Sequence, residues 1–102
     1  MTTIYHQNGA LAWNGSRAYH IQGQIAWDEQ KSGYYLSGIV AYRKGRGFYE
    51  SGTLAWDGKF VYNPDGTIMN SSSVKLDLGP DIFLVISKDK VRLSVVGQEV
   101  LD

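Results

Sequence analysis

The stretch Tyr5-His6-Gln7-Asn8-Gly9-Ala10-Leu11-Ala12-Trp13 is the first copy of a phrase that the chain contains four times, with further copies at residues 19–27, 34–42 and 48–56. Successive copies start 14 or 15 residues apart. Each copy reads aromatic, Tyr or His, variable, small polar, Gly, variable, aliphatic, Ala and aromatic, and these places are numbered one to nine. An internal repeat takes precedence over other sequence signals in predicting the fold.

Large apolar residues in the phrase fall on alternate positions. In the second copy, Tyr19, Ile25 and Trp27 share one parity, whereas His20 and Gln24 share the other. This period of two predicts a strand with one buried face. The connectors between copies are five or six residues long, which allows only antiparallel neighbours. The sequence therefore predicts an antiparallel meander in which each copy is one strand.

The meander predicts a register that aligns the glycines. If Trp13 lies opposite Tyr19, then the glycine of the first copy lies opposite that of the second. The four glycines at position five would form one line across the middle of the sheet: Gly9, Gly23, Gly38 and Gly52. Asn8-Gly9 alone favours a two-residue hairpin turn. The other three glycines lack that turn chemistry, so all four are interpreted as strand residues.

The remainder of the chain reads as shorter strands. Residues 82–86 are a continuous apolar run that fits burial on both faces, and residues 91–96 follow after a polar turn. The predicted fold is a single all-β domain over residues 1–102. It comprises a four-copy strand repeat at 5–56 and closing strands with C-terminal hairpins at 57–102, forming a small up-and-down β-barrel or a strongly curved two-layer sheet.

Composition excludes several classes of partner and site. Lys plus Arg and Asp plus Glu number 10 each, so no general field favours nucleic acid or an anionic membrane as a partner. Any nucleic-acid binding would have to be local. The chain has no cysteine, which excludes disulfides and thiolate metal sites. No apolar run approaches the ~18 residues of a membrane span, and the first residues lack signal-peptide features, so a cytoplasmic location is expected.

The two histidines occupy position two of the first and second copies. The predicted register places His6 and His20 at opposite ends of the sheet, ~20 Å apart at strand rise. No carboxylate cluster accompanies either residue. The sequence therefore predicts surface histidines and no metal site. It also shows no catalytic triad, phosphate-binding loop or cofactor motif, so a non-enzymatic role is favoured.

The aromatic rows are the predicted ligand-binding face. Their simplest interpretation is core, but rings around a belt of glycines can leave a cavity for a small apolar or aromatic ligand. Glu50 is the only charged residue on the aromatic parity. It is either part of a solvated seam or a carboxylate with a raised pKa in an apolar pocket. The predicted ligand-binding residues are Trp13, Trp27, Tyr34, Tyr42, Trp56 and Glu50.

The small residues on the other parity suggest an alternative, a homo-oligomeric structural or interaction protein. Position eight is alanine in all four copies, namely Ala12, Ala26, Ala41 and Ala55. A flat face of small side chains can pack against a second copy of the chain.

A further alternative is a nucleic-acid binder. The segment Arg43-Lys44-Gly45-Arg46-Gly47-Phe48-Tyr49 resembles the first RNA-binding motif of cold-shock domains, and Phe60-Val61-Tyr62 resembles their second. The resemblance covers residues 43–62 and departs from the family pattern at Arg46, where an aromatic is expected. It implies single-stranded nucleic acid bound by charge and stacking through Arg43, Lys44, Arg46 and Phe48.

Overall fold

The computed structural model describes residues 2–101, which form two antiparallel sheets and no helix. The all-β antiparallel meander predicted from the sequence is confirmed. The first sheet, called the repeat sheet, has ten strands in chain order: β1 (Ile4–Tyr5), β2 (Leu11–Trp13), β3 (Ala18–Tyr19), β4 (Ile25–Trp27), β5 (Gly33–Tyr34), β6 (Val40–Arg43), β7 (Arg46–Phe48), β8 (Leu54–Trp56), β9 (Val61–Tyr62) and β10 (Ile68–Met69).

The second sheet, called the C-terminal sheet, is a four-stranded meander. Its strands are β11 (Ser73–Gly79), β12 (Ile82–Ser87), β13 (Lys90–Val95) and β14 (Gln98–Glu99). Across residues 2–101 neither sheet closes on itself, so the predicted barrel is wrong. No helix in the same part of the chain is long and apolar enough to cross a membrane.

Each copy of the phrase is a hairpin, and the prediction of one long strand per copy is wrong. In the first copy the His6 N–H donates to the Ala10 carbonyl at 2.8 Å, and the Gly9 N–H donates to the His6 carbonyl at 2.9 Å. The same two bonds recur in the other three copies. Position five has φ between 89° and 99°, a conformation that glycine adopts without a Cβ penalty. The glycines therefore form a row of turns at one end of the strands.

A bulge in the hairpin of each of the four copies breaks the predicted alternation of faces. Tyr5 pairs with Leu11 and Ile4 pairs with Trp13, so Ala12 has no partner of its own. Equivalent register shifts occur in the other three copies. Because the extra residue disturbs the pleat, positions eight and nine both point inward. All four alanines are fully buried, and the three tryptophans are 4–5% exposed.

A fifth hairpin follows the four copies that the sequence revealed. The Asn63 N–H donates to the Thr67 carbonyl and the Gly66 N–H to the Asn63 carbonyl, at 2.7 and 2.9 Å. Gly66 has φ of 92°, as in the other turns. Met69 and Asn70 stand where the earlier copies have alanine and an aromatic residue, and this hid the fifth copy in the sequence.

The C-terminal sheet covers the inner face of the repeat sheet. Its apolar face is buried through alternate residues of β11, β12 and β13, including Leu76, Leu84 and Leu93. Phe83 and Val85 are half-buried on its other face, so the predicted burial of residues 82–86 on both faces is wrong. Buried residues of both sheets form one cluster. The repeat hairpins alone would leave their inner faces exposed to water.

Two glycines mark where the sheets approach each other closely. A Cβ on Gly47 would lie 2.6 Å from Ile86 Cδ1, and one on Gly79 would lie 2.9 Å from His20 Nδ1. The Leu36 N–H also donates to the Leu78 carbonyl, a backbone bond between the two sheets. Small residues at these places let the repeat sheet lie directly against β11 and β12.

Candidate functional site

Side chains at position two connect each copy to the next one. Each donates a hydrogen bond to the backbone carbonyl of position one in the following copy. The four bonds are His6 Nε2 to Tyr19 at 2.7 Å, His20 Nε2 to Tyr34 at 2.9 Å, Tyr35 Oη to Phe48 at 2.7 Å and Tyr49 Oη to Tyr62 at 2.6 Å. Position two is therefore a structural position, and neighbouring copies are joined by more than strand pairing.

The histidines are buried, which corrects the prediction of surface histidines. His6 is 3% and His20 is 0% exposed. They occupy equivalent places in neighbouring copies, so they lie about 10 Å apart, two strand spacings, and not at opposite ends of the sheet. A carbonyl only accepts, so Nε2 carries the proton and Nδ1 is left buried without a partner. Burial lowers the pKa of His20.

The predicted ligand-binding residues do not form one site. Trp13, Trp27 and Trp56 are core residues, and Tyr42 stacks on Trp27 with ring centroids 6.0 Å apart. Glu50 is exposed in the fourth glycine turn and does not lie in an apolar pocket. Position nine and the glycine turns lie at opposite ends of the strands, so the tryptophans and Glu50 are separated. The residues described from 2 to 101 contain no group of three potential metal ligands.

The alanine row lies inside the protein. Ala12, Ala26, Ala41 and Ala55 have no exposed surface, because the chain's own C-terminal sheet covers this face. The flat small-residue face that suggested homo-oligomerisation is therefore occupied within one chain.

The outer face of the repeat sheet, opposite the C-terminal sheet, carries a row of rings. Positions one and seven pair directly across each hairpin, so their side chains share this face. The rings at position one are Tyr5, Tyr19, Tyr34, Phe48 and Tyr62. Tyr5 is 58% exposed, and the other four are half-buried. One ring per hairpin gives a spacing of about 10 Å along the sheet.

An open groove of about 660 Å³ lies on this outer face between the third and fourth copies. Ile39, Val40 and Phe48 form its apolar side. Its other side is cationic and is formed by Arg43, Lys44 and Arg46. All four residues predicted for nucleic-acid contact, these three cations and Phe48, thus converge on one groove.

A tight turn positions the three cations. Tyr42 pairs with Gly47 and Arg43 pairs with Arg46, so only Lys44 and Gly45 form the turn. Their φ values of 51° and 79° fit a two-residue hairpin turn in which both residues are left-handed. The pairing places Arg43 and Arg46 side by side at the end of the sheet.

Hydrogen bonds hold Arg43 and the neighbouring acidic residue in place. Arg43 Nη2 donates to the Tyr34 hydroxyl at 3.0 Å, and that hydroxyl donates to Asp28 Oδ2 at 3.0 Å. Asp28 Oδ1 accepts the N–H groups of Gln30 and Ser32. The Asp28 carboxylate therefore fixes its own turn, and the guanidinium keeps most of its donors for a ligand.

The same arrangement occurs two connector turns further along, after the fourth copy. Asp57 accepts the N–H groups of Lys59 and Phe60 and the Tyr62 hydroxyl, and these bonds lower its pKa to about 2. Lys59 lies over the Phe60 ring, with Nζ 5.2 Å from the centroid, and Phe60 is 41% exposed. A Cβ on Gly58 would lie 4.0 Å from the Gly45 carbonyl, so this turn is next to the groove.

Charge is divided between the two ends of the repeat sheet. The four connector turns, residues 14–17, 28–32, 43–46 and 57–60, contain six of the ten Lys and Arg residues and three acidic residues. The five glycine turns contain no Lys or Arg and two acidic residues. The end with the connector turns is called the basic edge, and it is positive in a chain with zero net charge. The pattern is readable from the sequence once the connectors are known to lie together.

No family model, curated protein or solved structure matches this chain.

Sequence reasoning missed three contributors to this surface. Ile39 is 43% exposed beside the groove, and Lys59 and Phe60 extend the surface by one hairpin. Ile39 is at position six, which varies among the copies, so the repeat pattern gave it no role. The pairing of Lys59 with Phe60 in a turn was a usable signal, because a cation beside an exposed ring is typical of stacking surfaces.

Proposed function

We propose that this protein is a non-enzymatic binding module whose groove between the third and fourth copies holds a ligand with an anionic group beside an apolar or aromatic part. The observation that carries this proposal is the convergence of three cations and three apolar side chains on one groove. The proposed binding surface is the outer face of the repeat sheet and not the row of tryptophans, because the tryptophans are core residues.

The cations favour an anionic group. Within residues 2–101, Arg43, Lys44 and Arg46 have no carboxylate within 4.0 Å, since the ion pairs there join other residues. Three like charges on adjacent positions repel one another, and a bound anion relieves that repulsion. Guanidinium groups also donate to carboxylate, sulfonate or phosphate oxygens in a two-pronged geometry.

The apolar side of the groove favours a ligand that is more than a simple anion. Ile39, Val40 and Phe48 present aliphatic and ring surface next to the charges. Covering such surface stabilises a complex by roughly 25 cal/mol per Å² removed from water. The groove volume is within the range of small-molecule sites, roughly 300–1,000 Å³. Self-association through the alanine row is not part of this proposal, because those side chains are fully buried.

The test is a fluorescence titration with 8-anilinonaphthalene-1-sulfonate, which joins aromatic rings to a sulfonate. We expect saturable binding that weakens by at least about tenfold in the Lys44→Gln/Arg46→Gln variant, because a charge-assisted hydrogen bond contributes about that factor. The neutral probe N-phenyl-1-naphthylamine should bind more weakly than the sulfonate.

The matched control is Lys75→Gln/Lys88→Gln, which removes two exposed cations from the C-terminal sheet. Binding by this variant should equal that of the unmodified protein, and thermal melting should show that all variants are folded. Equal loss of binding in both double variants, or no binding at all, would contradict the proposal.

A further inference from the structure

We propose that the outer face of the repeat sheet binds single-stranded nucleic acid, with bases stacked on the row of rings and phosphates along the basic edge. This inference rests on the proposed function and names the ligand class of the groove. Three features of the described residues carry it: the division of charge, the row of rings and the adjacency of the groove to the next connector turn.

The cations of the basic edge lie on neighbouring connector turns. Arg43, Lys44 and Arg46 lie within the connector turn 43–46, and Lys59 lies in the next one. The proximity of Gly58 to Gly45 shows that these turns are neighbours. The acidic residues along the edge are engaged: Asp28 and Asp57 accept turn N–H groups, and Glu29 is paired with Arg17. The carboxylates keep their charges, but six Lys and Arg residues outnumber three acidic residues along this edge, so a polyanion meets a net positive line of charge.

The rings provide stacking surfaces for bases, which a simple polyanion would not use. Five position-one rings lie on the outer face, one per hairpin, and Phe48 is in the groove beside the cations. Phe60 adds an exposed ring at the basic edge itself. Base stacking on an aromatic side chain is sequence-tolerant, because every base has a π-face. The row extends along a molecule whose longest dimension is 40 Å, enough for several nucleotides.

Single strands fit this surface better than duplexes or acidic polysaccharides. A duplex keeps its bases stacked on each other, so they cannot lie on the rings. A sulfated polysaccharide has no π-face to stack on the rings and would bind mainly through its sulfate groups and the cations. Dependence of binding on both a cation pair and a ring therefore distinguishes a single strand from a duplex and from an acidic polysaccharide.

The experiment measures fluorescence anisotropy of a labelled 12-nucleotide oligothymidylate titrated with the full chain. We expect binding that weakens with salt, with a slope of log Kobs against log salt of about −0.7 per phosphate contacted. Lys44→Glu/Arg46→Glu should abolish binding, whereas the control Lys75→Glu/Lys88→Glu should leave it unchanged. Phe48→Ala should weaken binding by roughly 5- to 100-fold, the loss of one stacked base.

Phe83→Ala is the control for the ring, since Phe83 is half-buried on the other sheet. Two further arms replace the oligonucleotide with a 12-base-pair duplex and with a heparin fragment of similar charge. Tighter binding of either, or a Phe48→Ala variant that binds like the unmodified protein, would overturn the inference. Binding of the sulfonate probe without oligonucleotide binding would overturn it and leave the proposed function intact. Binding of neither would overturn both.

Discussion

Position two of the phrase joins each hairpin to the next through its side chain. Histidine and tyrosine are alternatives there because each carries a donor at the tip of a flat ring, and the carbonyl it reaches lies in the following copy. Tyr35 is 4% exposed and its burial, with a smaller contribution from the Glu50 charge, raises its pKa, so its hydroxyl remains a donor. The repeat is therefore held together by backbone pairing along the strands and by one side-chain bond per junction.

The buried imidazole of His20 makes stability depend on pH. Its pKa is lowered by burial, and its Nδ1 has no partner beside Gly79 to stabilise a second proton. Below the ordinary histidine pKa of ~6.5 the unfolded chain binds a proton that the folded chain resists. Stability is therefore unaffected by this group above that pH and falls as the pH drops below it. An electrostatic contribution from His6 also lowers the pKa of His20.

We expect His20→Gln to flatten this dependence, because the glutamine amide keeps a donor near the Tyr34 carbonyl and cannot take up a proton. The measurement is melting temperature between pH 7.5 and 5.5 in the unmodified and variant proteins. Lys88→Gln, at an exposed turn, is the control and should keep the original slope. Identical slopes in the His20 variant and the unmodified protein would show that the imidazole is not the source.

At the level of the hairpin, the glycine at position five decides the structure. A register of long strands aligns the four glycines and predicts that each is a strand residue. The local signal at Asn8-Gly9 was the better guide, since Gly9 does lie in a turn with φ of 89°. The other copies reach the same turn with Gln22, Ser37 or Ser51 before the glycine, so residue types alone did not reveal it.

Gly23 allows backbone strain to be tested separately from steric contact. A Cβ there would contact nothing within 4 Å, whereas its φ is 99°. Gly23→Ala should therefore lower the free energy of unfolding by roughly 1–2 kcal/mol through backbone strain alone. Gly23→Asn should cost less, since asparagine tolerates the left-handed region. Urea unfolding of the two variants measures the difference. Equal losses would mean that strain at this turn does not determine its stability.

The bulge explains why the faces were assigned wrongly. A strict period of two separates Ala12 from Trp13, but the bulge turns both inward and leaves positions one and seven outside. No residue type in the phrase marks a bulge by itself. The antiparallel meander could be predicted, whereas the division of each copy into two strands and the inner and outer faces required the pairing.

At the level of the whole molecule, the C-terminal sheet fills the inner face and leaves the outer face free. The sequence predicts closing strands with C-terminal hairpins and an aromatic face that is either core or the lining of a cavity. That face is filled, with Trp13, Trp27 and Trp56 at 4–5% exposure. The candidate site consists instead of the Arg43–Phe48 segment, which belongs to the alternative of a nucleic-acid binder, with the neighbouring Lys59 and Phe60.

The basic edge could not be read from net charge, which is zero. Charge becomes informative only when the meander places all connectors at one end of the repeat sheet. Six of the ten cations then lie together, and the glycine turns at the other end contain none. Such local asymmetry is the electrostatic basis of the polyanion binding proposed above.

The most direct test of this account is an NMR titration of the full chain with the 12-nucleotide oligothymidylate, followed through backbone amide shifts. We predict that the largest changes fall in residues 43–48 and 57–60, with smaller changes at the other connector turns. The glycine turns at 21–23 and 64–66 and the outer face of the C-terminal sheet should not shift. Changes confined to the glycine turns or the C-terminal sheet, or no changes, would contradict the central claim that the basic edge and its rings are the binding surface.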